Sequence, residues 1–259
     1  MDLSESPDVV RVVSYRLDLE YDGTRFSGWQ LQPDQRTVQG VIEAAILELF
    51  GEDVNVFAAG RTDAGVHATG QVAHFRVNRG RPPEVVLRAL NAKLPPDVRI
   101  HAVSVVPPEF HARFSAKWRA YSYRIALRSL AIGRQYAWIC PYRLDLEAMQ
   151  HAASLILGDH CFQSFSHPSE GETHYLSTVH LAQWRDRESV YEFHIEANRF
   201  LHGMVRLLVG TIVGVGRGKI GADRISEILA ARDVTRAGPK APACGLTLVN
   251  VGYKPWPAS

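Results

Sequence analysis

At 259 residues the chain can bury roughly 70–75% of its unfolded surface, enough for a core without covalent staples, in one large domain or two halves of about 130 residues. Hydrophobic residues at 46% and charged residues at 22% exclude a disordered chain, and a net charge of +2 does not by itself call for nucleic acid. Three scattered cysteines (Cys140, Cys161, Cys244) exclude a disulfide framework or zinc signature; with an acidic start lacking a signal peptide's apolar core, they lead to the expectation of a soluble, cytoplasmic chain.

Residues 1–10 are polar and read as disordered or draped. Val13, Tyr15, Leu17, Leu19 and Tyr21 then alternate with polar residues, the period of a half-buried strand ended by Asp22-Gly23. Thr37 can cap a helix carrying Val38, Val41, Ile42, Ala45, Ile46 and Leu49, and Gly51 stops it. A strand near 54–59, a glycine-bounded loop and a strand near 70–76 follow. Pro82-Pro83 opens a helix that Pro95-Pro96 closes, and a strand over 98–106 completes a β-α-β-β-α-β unit of ferredoxin-like type. After Pro107-Pro108 the order returns. A strand through Tyr121, Tyr123 and Ile125 leads to a helix from Leu146 that Gly158 ends. Strands follow near 178–185 and at 191–195, then helices over 202–215 and 223–231, and a last strand from Leu246. The expected fold is α+β: two ferredoxin-like halves, 11–106 and 107–255, with their sheets side by side. Loops at 22–36, 107–118, 128–144 and 160–176 are long enough to be functional.

Chemistry concentrates in Gly60-Arg61-Thr62-Asp63-Ala64-Gly65-Val66-His67-Ala68, an acid and an arginine in a loop between two apolar strands. A hairpin turn capped by an aspartate explains the same residues. Asp63, His67 and His74 could supply one carboxylate and two imidazoles to a metal, though no paired-histidine motif supports it. Asp63 could equally act alone as nucleophile or base, kept ionised by a distant cation such as Arg206. Of 29 basic residues 24 are arginines, which suits phosphates and bases but is also what a GC-rich genome gives. Tyr121 and Tyr123, flanked by Arg113, Lys117, Trp118, Arg119 and Arg124, could form an RNA-stacking face or pack in the core. No Walker loop, dinucleotide fingerprint or serine nucleophile elbow is present, and the glycines over 210–218 read as close helix packing.

Gly60 to Phe75 (GRTDAGVHATGQVAHF) resembles the signature of the TruA family of tRNA pseudouridine synthases. Further segments resemble the family in order: Tyr21-Asp22-Gly23 with Phe26, Gly28 and Gln30; Thr37-Val38-Gln39; Phe110 to Tyr123; Phe200 to Arg206 with Val209-Gly210; and Ala241 to Leu246. His202-Gly203 departs from it, standing where an aromatic and a histidine are expected. The resemblance implies a pseudouridine synthase fold and isomerisation of uridines at positions 38 to 40 in the anticodon arm of tRNA. It implies Asp63 as the catalytic aspartate, which attacks the ribose or promotes glycosidic cleavage, with Arg206 as its ion-pair partner. Tyr121 would stack on the flipped base and handle the C5 proton, Leu246 would floor the pocket, and Arg61 would help extrude the nucleotide. It further implies a homodimer using no metal and no cofactor.

Overall fold

The computed structural model describes residues 12–167 and 174–257. The expected disorder of 1–10, and part of the loop expected over 160–176, lie outside the described residues.

Strand β1 (Val13–Tyr21) buries Tyr15, Leu17, Leu19 and Tyr21 by the alternation its sequence carries. Helix α1 (Val38–Phe50) begins where the Thr37 side chain accepts the Gly40 N–H and ends at Gly51 in the left-handed region, φ +69°. It buries Val38, Ile42, Ala45 and Ile46, the apolar stripe of a 3.6-residue period. Strand β2 is only Phe57–Ala58, much shorter than the expected 54–59. Strand β3 (His67–Val77), helix α2 (Pro83–Lys93) and strand β4 (Val98–Val106) complete the first unit.

The second unit contains β5 (Trp118–Ala126), a two-residue β6 (Trp138–Ile139), α3 (Leu146–Ser154), β7 (Gly158–Cys161), β8 (Leu176–Asp186), β9 (Val190–Ala197), α4 (Met204–Gly216), α5 (Arg224–Ala231) and β10 (Leu246–Gly252). β6 falls inside the stretch 128–144 expected to be loop, and β7 overlaps the start of the loop expected over 160–176. Gly158 does not end α3 as expected. The helix closes at Ser154, and Gly158, at φ +87°, turns the chain into β7.

All strands belong to one sheet of order β4-β1-β3-β10-β5-β9-β8-β7, with β2 on β3 and β6 on β5. The order β4-β1-β3 with β2 beyond, and the order β10-β5-β9-β8, are the same 4-1-3-2 arrangement twice. The two ferredoxin-like halves are therefore fused edge to edge. The fusion depends on β3. One of its edges pairs along the length of β1; the other is divided. Near its C-terminal end β2 pairs with it antiparallel (Phe57 with His74, Ala58 with Ala73), and near its N-terminal end β10 pairs parallel (Thr247 with His67, Leu248 with Ala68). Residues 54–56 would continue this ladder opposite 75–77, but the Val56 N–H donates instead to Glu43 Oε1 at 2.9 Å, and pairing begins at Phe57.

Gly70 lies beside this join, and a Cβ there would fall 2.1 Å from the Val249 carbonyl oxygen. Only glycine lets the two backbones come so close. Gly70→Ala is therefore expected to destabilise the protein by about 2 kcal/mol through forced backbone displacement. Urea unfolding would show this as a lower midpoint.

His74, also on β3, is fully buried against Phe57 and His111, and burial pushes its pKa down from 6.5 to about 4. The unfolded chain thus binds a proton there between about pH 6.5 and 4 that the folded chain refuses. Stability from this group is complete above pH 6.5 and is lost as pH falls through that window, by at most about 3 kcal/mol. His74→Gln is expected to flatten the decline between pH 6.5 and 4, measured by denaturant unfolding at a series of pH values.

Candidate active site

The loop joining β2 to β3 carries Asp63, and buried polar side chains fix its course. Gln71 bonds Gly60 on both sides: its Nε2 donates to the Gly60 carbonyl (2.7 Å) and its Oε1 accepts the Gly60 N–H (3.3 Å). The Tyr21 hydroxyl meets Thr62 Oγ1 at 2.8 Å and accepts from Gln71 at 3.3 Å. The Trp29 N–H donates to the Thr62 carbonyl, and Gly28, at φ +96°, leaves room where a Cβ would sit 2.7 Å from that same oxygen. Each of these groups would cost about 1–3 kcal/mol if left unpaired, so the loop holds one conformation.

Asp63 projects from this clamped loop toward the second half, 22% exposed. Its Oδ2 accepts from Arg206 Nη1 of α4 at 2.7 Å and from Lys240 Nζ at 2.9 Å. His202 Nε2 lies 3.7 Å from Oδ1. Burial works to raise the Asp63 pKa, but Lys240 and then Arg206 outweigh it and hold the carboxyl below its usual range. Asp63 is thus an ionised carboxylate at neutral pH. Arg206 is itself anchored, its Nε donating to the Ala241 carbonyl at 2.7 Å while the Ala241 N–H donates to the Arg206 carbonyl.

Tyr121 and Tyr123 stand two apart on β5, and their surroundings separate them. Tyr123 is fully buried, its hydroxyl donating to the Pro242 carbonyl at 2.7 Å. Tyr121 packs edge-on against Phe200 at 4.9 Å, and its hydroxyl is the nearest atom to a Cβ built on Gly60, at the start of the Asp63 loop. Burial pushes the Tyr121 pKa up, so its phenol is neutral. Leu246 is buried at the start of β10 opposite Tyr123, whereas Leu248 pairs with Tyr121 and faces Gly60. Arg61 is exposed on the loop.

The structure separates the other expected groupings. His67 accepts the Gly23 N–H at Nδ1 and donates from Nε2 to the Gln135 carbonyl, while His74 accepts the Ala112 N–H and stacks on Phe57. Neither imidazole meets Asp63. Among the described residues no three His, Cys, Asp or Glu side chains are placed to hold a metal ion. Arg119, read from sequence as part of an RNA-facing set, is buried, and its guanidinium donates to the carbonyls of Ala59, Arg113, Ala116 and Asn198. It ties the entry to the Asp63 loop to β5 and to the end of β9. The glycines of α4 do serve close packing: a Cβ at Gly210 would lie 1.7 Å from the Pro239 carbonyl oxygen, and one at Gly216 2.6 Å from Met149 Sδ of α3. Lys240, Gln71 and Tyr21 were not singled out as site residues by the sequence. Tyr21 and Gln71 lie within recognisable motifs, but nothing in the local pattern around Lys240 marks it.

A family model described as tRNA pseudouridine synthase matches residues 19–115 and 152–254. A protein of Azorhizobium caulinodans named tRNA pseudouridine synthase A is 45% identical over 243 residues, 92% of this chain and 94% of that one. Proteins of the same name from Geobacillus sp. (strain WCH70) and Thermoanaerobacter sp. (strain X514) are 45% and 42% identical, each over 91% of this chain and over 96% and 97% of their own. Among solved structures, a chain of a Cbf5-Nop10-Gar1 complex aligns with a TM-score of 0.30 and 12% identity, covering 77% of this chain and 54% of that one. An identity above 40% along nearly the whole length of several relatives decides the matter: the chain belongs to the tRNA pseudouridine synthase A family.

Proposed function

We propose that this protein isomerises uridine to pseudouridine at positions 38, 39 and 40 of the tRNA anticodon stem-loop. The observation that carries the reading is an ionised Asp63, presented by the N-terminal half (11–106) and paired with Arg206 of the C-terminal half (107–255). The conversion breaks the C1′–N1 bond, turns the uracil and forms a C1′–C5 bond. A proton leaves C5 and one is taken up at N1, so substrate and product are isomers. Such a reaction needs no oxidant and no external energy. In the nucleophilic route an Asp63 oxygen bonds to C1′ as the C1′–N1 electron pair passes to the uracil. C5 then attacks C1′ and Asp63 leaves with its electrons. In the other route Asp63 acts as base and promotes glycosidic cleavage.

The target base must leave its stack, at a cost of a few kcal/mol that arginine–phosphate contacts can offset. Exposed Arg61 is suited to fill the space it vacates, Tyr121 to stack on the flipped base and handle the proton that leaves C5, and Leu246 to floor the pocket. No metal or cofactor enters this scheme. We further place the enzyme in the cytoplasm as a homodimer across which one tRNA lies; no helix among the described residues is long and apolar enough to cross a membrane.

Tritium release from tRNA carrying uracil labelled at C5 reports the new C–C bond directly. Wild type is expected to release tritium, and Asp63→Asn to lose at least about a thousandfold in rate while still binding tRNA. A wild type that binds unmodified tRNA but releases nothing would leave only an RNA-binding protein. Tyr121→Phe retains the ring and removes the hydroxyl, and is expected to slow single-turnover release about a hundredfold with binding unchanged. Log affinity for tRNA should fall linearly with log salt concentration, because arginine–phosphate contacts release counterions. A flat response in filter binding would exclude an extended phosphate footprint.

A further inference from the structure

The two cations on Asp63 do not share its carboxylate evenly. Arg206 Nη1 and Lys240 Nζ both contact Oδ2, at 2.7 and 2.9 Å, whereas among the described residues Oδ1 has only the His202 imidazole, its Nε2 3.7 Å away. Resting on the reading of Asp63 as the catalytic carboxylate, we propose that Lys240 is a second positioning cation for the reaction: with Arg206 it pins Oδ2 and leaves Oδ1 as the oxygen that meets the substrate.

The backbone is shaped to bring Lys240 there. Segment 238–241 lies against α4, where the Gly238 N–H donates to Thr211 Oγ1, the Pro239 carbonyl occupies the space a Cβ on Gly210 would fill, and Ala241 exchanges backbone and side-chain bonds with Arg206. Gly203 caps the start of α4 at φ +74°, and a Cβ there would fall 3.2 Å from both Cε and Nζ of Lys240 and 2.9 Å from His167. Glycine at 203 thus leaves the space the lysine side chain occupies. Lys240 is 25% exposed, so its ammonium reaches a carboxylate that is itself partly shielded from water, where a charge contact is worth more than on the surface.

One charge would hold Asp63 ionised but leave the carboxylate free to turn about its Cβ–Cγ axis. Two donors converging on one oxygen from different elements, α4 and the 238–241 segment, restrict that rotation. In the nucleophilic route Oδ1 then bonds to C1′ as the C1′–N1 pair leaves on the uracil. The negative charge departs with the uracil, and Oδ2, now the carbonyl oxygen of the glycosyl ester, keeps both donors and takes the charge back when C5 displaces Asp63. The groups facing Asp63 are Arg206 of α4, Lys240, His202 and His167 from the flanking loops, and Tyr121 of β5. Of these, Lys240 and Arg206 are the two that touch it.

The test compares Lys240→Met and Lys240→Arg with wild type in two measurements. In the free enzyme, the Asp63 carboxyl is titrated by carbon NMR, its signal assigned by its loss in Asp63→Asn. The midpoint is expected to rise by about one pH unit or more in Lys240→Met and to return toward wild type in Lys240→Arg. In single-turnover tritium release, Lys240→Met is expected to lower the maximal rate at least about tenfold and move the acid limb upward, with rescue by arginine. An unmoved Asp63 midpoint overturns the proposal. So does a loss confined to KM, which would make Lys240 a phosphate contact, and so does equal damage in both variants, which would mean lost packing. A wild type that releases no tritium would sink the pseudouridine reading, yet the NMR comparison would still decide what Lys240 does to Asp63.

Discussion

Asp63 lies on the first half of the chain and the cations that keep it ionised lie on the second, 143 residues away in the case of Arg206. A carboxylate moved out of water is driven to take up a proton, and here only the opposing half prevents it. The ionised state of Asp63 is therefore a property of the assembled molecule. It depends on every element that sets the distance between the β2–β3 loop and the start of α4. The fused sheet supplies that distance, because β10 hydrogen-bonds to β3 at the end next to the loop and to β5 on its other side.

Around this pair the molecule uses buried polar groups as spacers. Gln71 and Tyr21 hold the loop from below, and Arg119 gathers carbonyls from the loop entry, from the 113–116 segment and from the end of β9. A buried guanidinium bonded to carbonyl oxygens is tolerable only while all of its partners stay in place, since each bond lost exposes a desolvation cost. The result is a site whose first contacts are few and whose supports are many.

Much of this was legible in the residues. Thr37, Gly51 and the stripe between them mark α1 almost to the residue, and β1 and β4 show their period or boundaries openly. β2 misled because an apolar run announces burial but not pairing: Val56 is buried, yet its N–H is taken by the Glu43 carboxylate and not by β3. β6 and β7 are too short to display any period. At the site, Asp63 and Arg206 stood out through motif and chemistry, but the choice between Tyr121 and Tyr123 turns on which hydroxyl has a carbonyl partner, a tertiary fact. Arg119 imitated a phosphate ligand because arginine beside tyrosine on a strand looks the same whether its partners are phosphates or distant carbonyls. Lys240 sits in a proline-bounded segment with no periodicity, and only the packing of that segment on Gly210 aims it at the carboxylate.

The divided edge of β3 also limits how this chain can vary. In an isolated ferredoxin-like unit the outermost strand is free to lengthen or fray. Here β2 can lengthen freely only from its start, toward 75–77 of β3; residues added past Ala58 would run toward the contact that joins the halves. Insertions between Ala58 and Asp63 are therefore tolerable only as bulging loop, never as added strand. Sequence drift in that interval is constrained by a competitor that lies nearly two hundred residues downstream.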